Sequence, residues 1–307
     1  MFVIYFIFQR SSSFAIIFGA AIFFLIIIIL VLEISNGFKE EGAKKNITEI
    51  LAAVIIVVVF WYALRFVLNT NYPLDVVPSC SMLPVLHRGD MILLQGANQN
   101  NLIAPIVNVT SSQFSSSFSS TGTEALQCVA YSANNGNVRV SQIVSPGDNV
   151  GLLLVSSTGS EIVQNSYQNN SLVKYTCGIV NVTYQNGTVE KEASTTAITI
   201  GNTTITGDKN NSVIVYATVP QDQFYREGDG YIVHRVYALI NASGTYYALT
   251  KGDNNPGLDV QYMNTPANLS QIGGKVIGSV PFLGYIKLIL SNNFVEPTGC
   301  NYTTTSQ

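Results

Sequence analysis

Charge is scarce in this chain. Asp, Glu, Lys and Arg make up 11% of its 307 residues and the formal net charge is −3, so no basic field exists to gather phosphates and no nucleic-acid partner is expected. Histidine occurs only twice, as His87 and His234. The four cysteines, Cys80, Cys128, Cys177 and Cys300, never stand in Cys-x-x-Cys spacing. That combination argues against a zinc centre, and neither a metal nor a cofactor is expected. Tryptophan appears once, at Trp61, inside the apolar N-terminal part. Long apolar runs are confined to residues 1–70, and the remainder of the chain is polar and rich in Asn, Ser and Thr.

The segment from Phe14 to Leu32 carries no charge and no proline, which meets the roughly 20-residue requirement for a transmembrane helix. A second apolar run covers Ile50 to Leu68, with Trp61, Tyr62 and Arg65 near its end. Two N-terminal transmembrane helices are therefore expected, with a loop at 33–49 between them. Lys39, Lys44 and Lys45 favour a cytoplasmic loop. That orientation places the N-terminus and everything after Leu68 outside the cell.

Beyond Leu94 the alternation of apolar and polar residues predicts strands over 127–131, 137–144, 150–156, 172–182 and 197–206. Asn135-Gly136, Pro146-Gly147, Asn186-Gly187 and Gly207-Asp208 mark the turns between them. No helical period is legible there, and the low-complexity stretch 113–122 predicts a mobile loop. Glycosylation sequons stand at Asn108, Asn169, Asn181, Asn186, Asn202, Asn210, Asn241, Asn268 and Asn301. A sequon at Asn46 falls in the loop placed inside and is expected to stay unmodified. Cys128 and Cys177 share the polar section, where either a disulfide or two buried thiols is consistent with the residues.

Two short clusters carry chemistry. The first is Ser79-Cys80-Ser81-Met82-Leu83-Pro84, followed by His87-Arg88-Gly89-Asp90. The second is the strand Ile232-Val233-His234-Arg235-Val236, followed by Thr250-Lys251-Gly252-Asp253-Asn254-Asn255 and, later, Asp259. Each residue also has an ordinary structural reading: serines fill loops, strand histidines pack, and turn aspartates cap. Taken together they supply a hydroxyl, a base and a carboxylate, the parts an activated serine nucleophile requires. Lys251 is the alternative base, as in Ser-Lys peptidases.

These boxes, with Gly274-Lys275-Val276-Ile277-Gly278 after them, stand in the order found in type I signal peptidases, and the histidine resembles the archaeal and endoplasmic-reticulum type. The resemblance covers 71–94 and 212–290. It implies Ser81 as nucleophile, His234 as general base, Asp259 as the acid with Asp253 supporting, and Ser79 with the Ser81 N–H as oxyanion donors. Cys80 departs from the pattern, which often has glycine there.

The fold expected is membrane-anchored and mainly β. Residues 1–70 form a two-span anchor, and 71–96 and 212–290 form the catalytic core. A β-rich glycosylated insertion occupies 97–211, and 291–307 is a tail. The resemblance implies a serine endopeptidase that removes signal peptides from secreted preproteins. Its expected partners are those signal peptides, the lipid bilayer and the secretion translocon. The competing reading is a non-catalytic, membrane-anchored, glycosylated binding module.

Overall fold

In the computed structural model of the chain the described residues are 43–118, 138–144, 150–156, 159–164, 172–291, 293, 296–297 and 299–305. In chain order the elements begin with α1 (Ala43–Leu68), β1 (Leu74–Val76), β2 (Met91–Gln95), β3 (Ile106–Val109) and α2 (Ser111–Phe118). The middle of the chain gives β4 (Val138–Val144), β5 (Val150–Ser156), β6 (Gly159–Gln164), β7 (Val173–Tyr184), β8 (Val189–Ile200) and β9 (Thr203–Thr206). After these come β10 (Val213–Ala217), α3 (Gln223–Glu227), β11 (Tyr231–Ala242), β12 (Thr245–Lys251), β13 (Ala267–Asn268), β14 (Ile272–Val280), α4 (Tyr285–Leu290) and β15 (Tyr302–Thr305). They divide into two compact units, one within Met1–Pro78, Arg88–Gly96 and Ile277–Val295, the other within Ser79–His87, Ala97–Val276 and Glu296–Gln307.

The first unit holds α1, the antiparallel pair β1–β2 and α4, where Lys287 Nζ meets Asp75 Oδ1 at 2.7 Å. Its α1 corrects the expected two-span anchor: among the described residues no helix is long and apolar enough to cross a membrane. The physical reason lies in the charges. The helix begins at Ala43, inside the loop expected at 33–49, and takes up Lys44, Lys45 and Glu49 before its apolar part starts. Between Glu49 and Arg65 about 15 residues remain, roughly 22 Å of helix against a hydrocarbon core of about 30 Å. The other expected span, 14–32, lies outside the described residues, as do Cys128 and the sequon at Asn169.

The second unit is built on β11. Its first half pairs with β10 (Ile214↔His234) and its second half runs parallel to β3 (Ile240↔Val107), while β12 lines the other side antiparallel. β14 continues the sheet beyond β10, and β13 beyond β12. β11 is buried along almost its whole length because both faces of this sheet are covered, which is why it reads as a nearly continuous apolar run. On one face Ile214, Tyr216, Ile232, Val236 and Leu239 pack together. On the other, Tyr237, Ala238 and Ile240 pack against Ile198, Ile200 and Ile205 of β8 and β9. The sheet β15-β7-β8-β9 thus shares a core with the β11 sheet. A further sheet has the order β4-β5-β6.

Two stretches differ from the sequence expectation. Of the loop expected over 113–122, residues 119–122 lie outside the described residues and residues 113–118 belong to the helix α2. Thr110 caps it reciprocally: Gln113 N donates to Thr110 Oγ1 at 3.2 Å and Thr110 N to Gln113 Oε1 at 2.9 Å, a capping box written in Thr-Ser-Ser-Gln. Phe114 and Phe118, one turn apart, then close onto the core, with Phe114 stacked 4.0 Å from Tyr247. The strand expected over 197–206 is two, since β8 ends at Ile200 and Gly201 (φ 59°) turns the chain into β9. β8 also begins far earlier than expected, because Glu190 and Glu192 break the apolar alternation on its outer part.

Candidate active site

Strand geometry places three polar side chains on one face. Directly paired residues of antiparallel strands share a face, and every second residue along a strand returns to it. Tyr216 pairs with Ile232 and Thr250 with Val236, so Tyr216 of β10, His234 of β11 and Thr250 of β12 project to the same side. Asp259 opens the short 3-10 turn Asp259–Tyr262 and reaches that face. His234 Nδ1 lies 2.9 and 2.8 Å from the two Asp259 oxygens, and Asp259 Oδ2 also accepts from Tyr216 OH at 2.8 Å and Thr250 Oγ1 at 2.6 Å. All four side chains are buried.

Burial alone would push the Asp259 carboxyl up. Attraction to His234 and the hydrogen bonds from His234, Thr250 and Tyr216 outweigh it and hold the group below the usual carboxylate range. Burial and the neighbouring Asp259 push the Tyr216 phenol well up, so it stays a donor. An ionised Asp259 fixes the proton of His234 on Nδ1 and leaves Nε2 as an acceptor. Nε2 faces Ser81 Oγ at 3.0 Å, and Ser79 Oγ stands 3.2 Å from Ser81 Oγ. The Phe224 ring meets the imidazole edge-on at 6.2 Å and stacks on Tyr262.

Ser81, His234 and Asp259 are thus brought into one hydrogen-bonded chain, with Ser79 beside it. Asp253 is placed elsewhere. Arg235, next to His234 on β11, points to the opposite face, and Asp253 follows it there: Arg235 Nε and Nη2 donate to its two oxygens at 2.8 and 2.6 Å. Lys251, the alternative base, pairs with Arg235 on that same side and donates to the carbonyls of Gly252 and Asn255. Sequence reading gave no role to Tyr216 or Thr250, although Thr250 opens the box Thr250–Asn255 and Tyr216 stands on an apolar strand, Val213–Ala217. It also missed the disulfide Cys80–Cys300, which closes a sequence separation of 220; a loop of that length is worth about 5 kcal/mol in the chain-entropy picture.

Lys251 gives a pH signature. Burial lowers its pKa from 10.5 to about 8, against the pull of Asp253 and Asp259. Below pH 8 both folded and unfolded chains are protonated there and the full burial penalty applies. Between about 8 and 10.5 the folded protein has released the proton that the unfolded chain still holds, so this contribution to stability rises with pH. Urea melts at the two ends of that window should therefore show the stability of Lys251→Met, relative to wild type, falling as pH rises; tyrosine ionisation is common to both proteins and cancels. A difference independent of pH would show that Lys251 carries an ordinary ammonium.

No model of a known protein family matches the chain, and no solved structure matches it. Among curated proteins, the signal peptidase complex catalytic subunit SEC11 of Colletotrichum graminicola is 38% identical over 63 residues, 20% of this chain and 37% of that protein. The SEC11 subunits of Leptosphaeria maculans and Candida dubliniensis are 37% and 39% identical over 67 and 69 residues, covering 39% and 40% of those proteins. The chain therefore matches well under half the length of these relatives. Over that part, the matches support a signal-peptidase family.

Proposed function

We propose that the protein is a serine endopeptidase that cleaves signal peptides from secreted preproteins, with Ser81 as nucleophile, His234 as general base and Asp259 as the residue that orients and charges the base. The observation that carries this reading is the unbroken chain Ser81 Oγ–His234 Nε2 at 3.0 Å and His234 Nδ1–Asp259 at 2.8 Å. His234 takes the Ser81 proton as Oγ attacks the scissile carbonyl. The imidazolium then passes that proton to the leaving amine, and an acyl-enzyme remains. Water enters and bonds to the acyl carbon as His234 takes its proton; the bond to Ser81 Oγ then breaks, Oγ takes that proton back from His234, and the acid is released. The developing oxyanion is met by the Ser81 N–H and the Ser79 hydroxyl.

The Cys80–Cys300 disulfide beside the nucleophile supports an oxidising exterior as the place of work. Exposed apolar side chains on α1, among them Val59, Phe60, Phe66 and Val67, support work against a lipid surface, where a signal peptide keeps its own apolar segment. In that setting the sequons, exposed at Asn108, Asn186, Asn202, Asn210 and Asn301, would carry glycans. A binding module has no use for a buried Asp–His pair aimed at a serine hydroxyl, so the catalytic reading is preferred.

The test is cleavage of a preprotein whose signal sequence ends in Ala-x-Ala, followed by N-terminal sequencing of the product. Cleavage immediately after the second alanine is expected, together with its loss when that alanine is replaced by a bulky residue. A product with scattered N-termini, indifferent to that replacement, would reduce the reading to a general peptidase.

A further inference from the structure

Asn254 uses every polar group it has, and all of them bind two segments far away in sequence. Its backbone N–H donates to Ser81 O at 2.7 Å. Its side-chain Nδ2 donates to Cys80 O at 3.2 Å, Gly299 O at 3.3 Å and Tyr302 O at 3.1 Å. Its Oδ1 accepts from Thr304 N at 2.7 Å, and its carbonyl accepts from Thr304 Oγ1 at 3.1 Å. The residue is only 2% exposed, so water does not replace these partners. The neighbouring backbone packs as tightly: a Cβ added at Gly252 would lie 2.8 Å from Ser81 O.

The segment that Asn254 grips is itself fastened twice more. Cys300 is bonded to Cys80, the residue next to Ser81. β15 pairs with β7 (Thr303↔Thr183), and β8 of that sheet reaches the turn carrying Asp259: Thr195 N and Ser194 Oγ donate to Pro256 O at 2.7 and 2.8 Å, and Thr195 Oγ1 donates to Gln261 Oε1 at 2.8 Å. The sheet formed by the inserted strands and the C-terminal strand therefore touches the nucleophile segment through Asn254 and the disulfide, and the turn that carries the acid through Thr195.

We propose that Asn254 is a positioning residue for Ser81, tying the nucleophile segment 79–87 to the C-terminal segment 299–305 so that Oγ stays within reach of His234 Nε2. The proposal rests on the catalytic reading above. Ser81 sits in a loop, and a loop hydroxyl free to drift by about 1 Å loses on the order of 100-fold in rate. Asn254→Asp separates the two halves of the amide: it keeps the acceptor for Thr304 N but turns the donor edge, which faces three carbonyls, into an oxygen that repels them.

The experiment uses the full chain, with kcat and KM for preprotein cleavage and hydrogen exchange measured in parallel on wild type, Asn254→Ala and Asn254→Asp. Expected are a fall in kcat of about 100-fold with KM within about twofold, and faster exchange in both 79–87 and 299–305. Asn254→Asp should be no better than Asn254→Ala despite its size. Unchanged exchange in the two segments of an active protein would overturn the tie. So would faster exchange with kcat intact, which would leave Asn254 a merely structural residue. A recovered kcat in Asn254→Asp would show that the acceptor half suffices and overturn the donor argument. A wild type that cleaves no preprotein overturns the catalytic reading instead, and takes the positioning role with it; the exchange data, which need no substrate, keep the two failures apart.

Discussion

Ser81→Ala is expected to lose preprotein cleavage by about 10⁶-fold while folding normally. The side chain contributes little to the fold: its Oγ contacts are Ser79 Oγ and His234 Nε2, and the ties that hold the segment use the carbonyls of Cys80 and Ser81, which alanine retains. The expected stability change is therefore small, about 0.5 kcal/mol. Loss of activity with an unaltered urea midpoint would assign the chemistry to the hydroxyl. His234→Ala should fall as far, because residues that act as a unit are not additive, and the double variant should be no worse than either single one. Lys251→Met should keep most of its activity, since the Lys251 ammonium is directed to the Gly252 and Asn255 carbonyls. Full cleavage by Ser81→Ala would sink the mechanism. Activity lost in Lys251→Met but kept in His234→Ala would move the base to Lys251.

Asp259→Asn should cut kcat by about 10⁴-fold, far more than Asp253→Asn. The reason is the pair of donors behind the carboxylate. Tyr216 OH and Thr250 Oγ1 both donate to Oδ2, so an asparagine there would turn its carbonyl oxygen toward them and its NH₂ toward His234 Nδ1. That amide donates where Asp259 accepts. His234 must then carry its proton on Nε2, where it no longer accepts one from Ser81. The fold keeps its shape and the base is in the wrong tautomer. Asp253→Asn, by contrast, weakens the two-pronged pair with Arg235 on the other side of β11, a loss of about 2 kcal/mol in stability with kcat nearly intact. Equal kinetic losses in the two variants, measured at matched folded fractions, would contradict the division of labour between the aspartates.

Much of the site is legible in the order of residues alone. The succession of boxes points to Ser81 and His234, and the strand carrying His234 is visible as an apolar run. The choice between Asp253 and Asp259 is not, because both stand in one turn-rich stretch and their sides are set by β11: His234 and Arg235 are adjacent, face opposite ways, and each takes one aspartate. Tyr216 and Thr250 look like ordinary strand residues, since only pairing puts them beside His234. The helix α2 is masked by its serine-rich composition, though its capping box is spelled out at Thr110 and Gln113.

By itself, the sequence determined the β-rich character and, through the order of its boxes, the candidate serine, histidine and aspartates, because these come from period and local motif. Only the tertiary structure decided the partners across distance. Cys80 joins Cys300 over a separation of 220 residues, Asn254 binds the segments on both sides of that link, and the inserted strands brace the turn that carries Asp259 through Thr195. In α1, by contrast, the sequence itself sets the limit: about 15 uncharged residues lie between Glu49 and Arg65, and among the described residues no helix is long and apolar enough to cross a membrane. Local patterns record which side chains are present, whereas long-range pairing is fixed by how the strands close on one core, and no short window of sequence carries that.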